Sequence, residues 1–123
     1  MKQISTANAP AAIGPYSQAI RSGNMLFCSG QTPVDPATGL IPDGVEAQTE
    51  QVFKNVKNLL EATGAGMDKV VKTTVFIKDM NDFAAINGIY AGYFTEPYPA
   101  RSCIEVARLP KDVLVEVEVI AEL

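Results

Sequence analysis

Val113-Leu-Val-Glu-Val-Glu-Val-Ile-Ala121 is the stretch that decides the fold. Val113, Val115, Val117 and Val119 recur at every second position, so four β-branched side chains share one face of a strand. Leu114, Glu116, Glu118 and Ile120 share the other face. A strand of this kind needs an apolar cover on its valine face. Two amphipathic segments upstream can supply that cover. Between 45 and 62, Val45, Val52, Phe53, Val56, Leu59 and Leu60 fall on one helical stripe, and Gly64 follows as a stop. Between 82 and 95, Phe83, Ile86, Tyr90, Tyr93 and Phe94 form a second stripe. Asn81 is the expected N-cap, and Pro97 and Pro99 end the helix.

Working outward, residues 17–21 and 25–29 flank Ser22-Gly23-Asn24, a hairpin signal. Val70 to Lys78 is β-branched and reads as a strand. Ala100 to Val106 alternates, with Ser102, Ile104 and Val106 on one side and Arg101, Cys103 and Glu105 on the other. The order ββ–α–β–α–ββ predicts an α+β fold, a sheet covered by helices on one face. The second sheet face is expected to gather Arg101, Cys103, Glu105, Glu116 and Glu118 beside Leu114, Ile120, Val70 and Phe76. A solvated face is one reading. The apolar residues favour another, an oligomer interface that holds a polar site. Residues 30–44 carry three prolines and three glycines, and a loop of this length is often functional.

With 123 residues, the chain has the length of one domain, 1–123. It contains no histidine, which excludes Ser-His-Asp and Cys-His catalysis and most zinc sites. Ten basic against fourteen acidic residues give −4, the wrong sign for a nucleic-acid footprint. Apolar runs are only a few residues long, so neither a membrane span nor an export signal is expected, and the reading is cytoplasmic. Cys28 and Cys103 then read as free thiols acting as small buried hydrophobes. Gly64-Ala-Gly66 lacks the third glycine and the preceding strand of a dinucleotide fingerprint. No metal and no cofactor is expected.

Three segments are distinctive: Ala9-Pro-Ala-Ala-Ile-Gly-Pro-Tyr-Ser17, Ser29-Gly-Gln-Thr-Pro-Val34 and Pro99-Ala-Arg-Ser-Cys-Ile-Glu-Val-Ala-Arg-Leu-Pro-Lys-Asp112. With Lys72-Thr-Thr-Val-Phe76 and Asn81-Asp-Phe83 they closely resemble the RidA (YjgF) family of reactive intermediate deaminases, over nearly the whole chain. The resemblance implies a mixed sheet with two helices on one face, in a chorismate-mutase-like homotrimer with a central barrel and sites between subunits. It implies hydrolysis of 2-imino and 2-enamino acids, such as 2-iminobutanoate and 2-aminoacrylate, to 2-oxo acids and ammonia. Carried over by position, it makes Arg101 the carboxylate anchor and Glu116 the water-positioning base. It gives Cys103 a main-chain contact to water or substrate nitrogen, and Gly30 a backbone amide for the carboxylate. Tyr16, Asn87 and Tyr90 fall on pocket-lining positions. Phe94 to Arg101 is shorter than in some members, which bears on substrate breadth.

The chemistry fits those residue types. Arginine's planar fork matches a carboxylate with two parallel hydrogen bonds, which lysine cannot reproduce. A carboxylate can orient water and take its proton if its pKa lies near the working pH. Burial raises that pKa and a nearby arginine lowers it, and sequence does not decide between them. Glu118, on the same face, is the alternative water base. Tyr16 could simply pack; Asn87 and Tyr90, three apart on one helix, could serve the core or an interface instead. The other functional reading is a non-catalytic protein that binds 2-oxo acids or imines as a sensor or interaction module. Relatives described as ribonucleases or translation inhibitors suggest a third, which the charge and the missing histidine oppose.

Overall fold

The computed structural model describes residues 1–123. Six strands form one mixed sheet: β1 (Lys2–Ile4), β2 (Ala19–Ser22), β3 (Met25–Cys28), β4 (Val70–Ile77), β5 (Ala100–Glu105) and β6 (Val115–Glu122). Their order is β1-β2-β3-β6-β4-β5. Only β4 and β5 pair in parallel. Two helices, α1 (Val45–Glu61) and α2 (Phe83–Tyr93), cover one face.

The local rules account for most of this. Gly23, at φ +61°, makes the β2–β3 turn, and Ser22 pairs with Met25 across it. Gly64, at φ +80°, stops α1, with Ala65 N–H returning to the Leu60 carbonyl at 3.2 Å. The α1 stripe buries Val52, Phe53, Val56, Leu59 and Leu60 against Val115, Val117 and Val119 of β6. α2 adds Ile86 and Tyr90, and Phe94 follows at its end. Phe53 joins the two helices: it stacks on Tyr93 at 4.9 Å and meets Tyr90 edge-on at 5.6 Å. Tyr93 also donates its hydroxyl to Glu50 at 2.7 Å.

Four expectations are corrected. β1 carries too few residues to show a period, and it forms by pairing with β2, Gln3 opposite Ile20. Asp79, not Asn81, caps the second helical segment: its carboxylate accepts from Asn81 N–H at 2.9 Å, and a 3₁₀ turn over Met80–Asp82 leads into α2. Val70 belongs to the core, because a bulge between Val70 and Lys72 shifts the alternation of β4.

The fourth concerns Arg101, Cys103 and Glu105. They share a face as their alternation requires, but it is the helix face. Across the parallel ladder Arg101 pairs with Thr73, Cys103 with Val75 and Glu105 with Ile77. Thr73, Val75 and Ile77 in turn pair with Val119, Val117 and Val115. Glu116 and Glu118 pair with Phe76 and Thr74 on the opposite, open face. The sheet therefore separates the two halves of the expected site.

Candidate functional site

One half lies on the open face. An open cleft of about 800 Å³ gathers Tyr16, Gly30, Glu116 and Glu118, with Lys111 also in its wall. Its shape follows from a bulge. Phe27 pairs with Ile120 and Gln31 bridges Val117, so Cys28, Ser29 and Gly30 stand opposite only Glu118 and Val119. The extra residue turns the Gly30 backbone toward the Glu116 side chain. A Cβ at Gly30 would collide with Glu116 Oε1 and come within 3.0 Å of Cδ, so any larger residue would displace the carboxylate from this position.

Buried amides hold the loops around this cleft. Gln18 accepts from Thr6 N–H at 2.7 Å and donates to the Thr6 and Pro10 carbonyls at 3.0 and 2.8 Å, which fixes the segment before Tyr16. Asn55 of α1 donates to the Thr32 and Val34 carbonyls at 3.0 and 2.8 Å. Gln48 donates to the Pro42 carbonyl at 3.1 Å and accepts from Leu114 N–H at 2.8 Å. The proline-rich loop is thus an ordered wall. Gln18, Gln48 and Asn55 escaped the sequence reading, although Asn55, beside Val56 and within the apolar stripe of α1, was a polar signal.

Glu116 is half-buried. Burial pushes its carboxyl above the ordinary range, and the like charge of Glu118 adds to the effect. Burial thus prevails within one chain, where no guanidinium faces Glu116. A raised pKa suits a group that must take a proton near neutrality.

The other half lies on the helix face, at the edge strand β5. Arg101 Nη1 donates to Asn87 Oδ1 at 2.7 Å. Its guanidinium lies 4.7 Å from the centre of the Tyr90 ring and 5.5 Å from that of Phe83. Tyr90 is held in turn, its hydroxyl 2.8 Å from Thr73 Oγ1. Asn87 and Tyr90 therefore share a face and orient the arginine, leaving other donors of the fork free. Phe83 is a supporting residue expected only as core. Cys103 sits two residues on, with its thiol pKa raised by burial and opposed by Arg101. Cys28 is buried and pushed up to about 12, so neither thiol is primed as a nucleophile. A separate hollow of about 440 Å³ beneath Tyr93–Pro99 contains none of these groups.

Fold and site define a class: an α+β protein with two helices on one face of a mixed sheet, a glutamate over a glycine bulge on one side and a braced arginine on the other. Residues 6–123 match the family model described as Endoribonuclease L-PSP, and the chain belongs to that family, the RidA (YjgF) family. It is 57% identical over 123 residues to the 2-iminobutanoate/2-iminopropanoate deaminase of Escherichia coli K12, covering 98% of this chain and 96% of that one. It is 58% identical over 119 residues to a RutC family protein of Pyrococcus horikoshii, covering 96% and 94%. Among solved structures it is similar to RidA from an Antarctic Psychrobacter, with a TM-score of 0.97, 45% identity and full coverage of both chains. It is also similar to E. coli TdcF with bound serine, with a TM-score of 0.96, 50% identity and coverage of 100% and 99%. No helix is long and apolar enough to cross a membrane.

Proposed function

We propose that the protein hydrolyses reactive 2-imino and 2-enamino acids to 2-oxo acids and ammonia, with 2-iminobutanoate and 2-aminoacrylate as representative substrates. The observation that carries this reading is the 57% identity, over nearly the whole chain, to the E. coli 2-iminobutanoate/2-iminopropanoate deaminase. Arg101 binds the substrate carboxylate through the donors that Asn87 leaves free. Gly30 offers its backbone N–H to the same carboxylate, and Cys103 contributes main chain near the substrate nitrogen. Tyr16 closes the cleft. Glu116 orients a water and takes its proton as oxygen bonds to C2. The C=N bond becomes a C–N single bond in a tetrahedral carbinolamine. Return of that proton gives the carbinolamine its NH2 group; the hydroxyl proton then passes to nitrogen as C=O forms and the C–N bond breaks, so imine and water yield a 2-oxo acid and ammonia. The substrate is itself unstable in water, so holding water and carbon together supplies much of the acceleration.

A site that uses both Arg101 and Glu116 takes them from two subunits, because the sheet lies between them in one chain. The assembly is a homotrimer in which three sheets surround a central barrel. Two features support it. β5 is an edge strand with its outer hydrogen-bonding side unpaired. Phe27 and Ile104 stand 47% and 44% exposed.

The test supplies 2-iminobutanoate from a threonine dehydratase and follows 2-oxobutanoate. Wild type accelerates release. Arg101→Ala loses about 10- to 100-fold in kcat/KM, the worth of a charge-assisted bidentate contact, and Arg101→Lys does not restore it. An Arg101→Ala variant as fast as wild type would sink the reading. The second reading, binding without turnover, draws on the small amino acid named in the E. coli TdcF structure. Calorimetric binding of 2-oxobutanoate by a protein that leaves the imine rate unchanged would establish it.

A further inference from the structure

We propose that Lys111 is the anion-capture residue of the Glu116 cleft: it draws the substrate carboxylate in against the acidic groups around it. The inference rests on the deaminase reading and adds a residue to it.

The first observation is charge. Among the side chains that wall the cleft, Asp35, Glu116 and Glu118 are acidic, and Lys111 alone is basic. The whole chain carries −4, so a carboxylate approaching the Arg101 of the second subunit meets repulsion at long range and again along this chain's wall of the cleft. Lys111 is exposed, and its ammonium takes no part in the chain's two ion pairs, Lys57–Glu61 and Arg108–Asp112. Within one chain its charge is therefore unpaired.

The second observation is backbone. Lys111 and Asp112 both lie in the left-handed region, at φ 57° and 55°, and neither is glycine. Two such residues in succession are unfavourable and persist only where their surroundings hold them. The holding contacts are visible. Asp112 N–H reaches the Leu109 carbonyl at 3.0 Å. Arg108 grips the Asp112 carboxylate through Nε at 2.9 Å and Nη2 at 3.4 Å. An ion pair this exposed adds little stability. It spans the turn that sets Lys111 in the cleft wall, just before the strand that carries Glu116.

The test compares wild type with Lys111→Ala, Lys111→Gly and Lys111→Arg. Initial rates on 2-iminobutanoate and calorimetric affinity for 2-oxobutanoate are both read across ionic strength. Removing one partly solvated charge near the ligand raises KM and Kd about three- to tenfold and leaves kcat unchanged. Lys111→Arg stays near wild type. The gap between wild type and Lys111→Ala narrows between about 0.02 M and 0.5 M salt, as screening removes the attraction. Lys111→Gly relieves the left-handed strain, so it melts no lower than wild type yet binds as weakly as Lys111→Ala. That pairing separates capture from folding. Wild-type KM and Kd in both Lys111→Ala and Lys111→Gly would overturn the proposal, as would a gap that persists undiminished at high salt. A wild type that binds 2-oxobutanoate without hydrolysing the imine would refute the deaminase reading. The Kd comparison would still decide the role of Lys111.

Discussion

Arg101 and Glu116 occupy opposite faces of the same sheet, Arg101 level with Thr73 on the helix side and Glu116 level with Phe76 on the open side. A reaction that needs both then needs two chains. Arg101→Ala and Glu116→Gln proteins, each strongly impaired alone, are expected to regain activity when unfolded together and refolded as a mixture. Random assortment restores about one quarter of the sites. Imine turnover by the mixture that exceeds the average of the two parents refolded separately is the readout. Light scattering on the same samples should give a trimer.

Gly30 leaves room only for a hydrogen while the Glu116 carboxylate stays where it is. Gly30→Ala forces the carboxylate aside, since the new methyl group meets Oε1 and Cδ. The expected result is a loss of at least about tenfold in kcat, the scale of a misplaced general base. Thermal stability should change little, because Gly30 does not need a left-handed φ. Steady-state kinetics beside a melting curve distinguish this from misfolding.

The raised pKa of Glu116 sets a pH limit. As the proposed base Glu116 works ionised, so activity is expected to fall as pH drops through its raised pKa. Glu118→Gln removes the second cause of the shift, so the acid limb of the rate profile should move to lower pH. For stability the sign is opposite to that of a salt-bridged carboxylate. The folded state holds the proton more tightly than the unfolded one, so stability declines as pH rises from the unfolded pKa through the folded one. Glu116→Gln should therefore be at least as stable as wild type at pH 7, by denaturant titration.

Asn55 is wholly buried and satisfies two carbonyls of the loop that walls the cleft. Asn55→Ala leaves the Thr32 and Val34 carbonyls without that donor. The expected cost is about 2–4 kcal/mol in urea unfolding, from two unmet acceptors and a small cavity. Hydrogen exchange in residues 30–36 should rise more than in β6.

Several features were legible because their signals are local. The stripe on α1, the Gly23 turn, the Gly64 stop and the valine face of β6 each follow from contacts within a few residues or from a fixed period. The segment Pro99–Asp112 carried the family. Other features have no local signal. Three residues cannot show a period, so β1 exists only through its pairing with β2. Asp79 and Asn81 both suit a cap, and the chain's approach to α2 chooses between them.

The faces of β5 mark the division most clearly. Alternation determined that Arg101, Cys103 and Glu105 lie together. It did not determine on which side, because a strand of period two is symmetric to exchange of its faces unless an apolar face breaks the tie. β6 has such a face in its valines; β5 does not. Only the parallel register that sets Cys103 beside Val75 decided the matter, through hydrogen bonds to a strand distant in sequence. The sequence by itself determined most of the elements and the family. The tertiary structure decided that Arg101 and Glu116, the two residues proposed to act on substrate, stand back to back across the sheet, since strand register belongs to the pair and not to either strand.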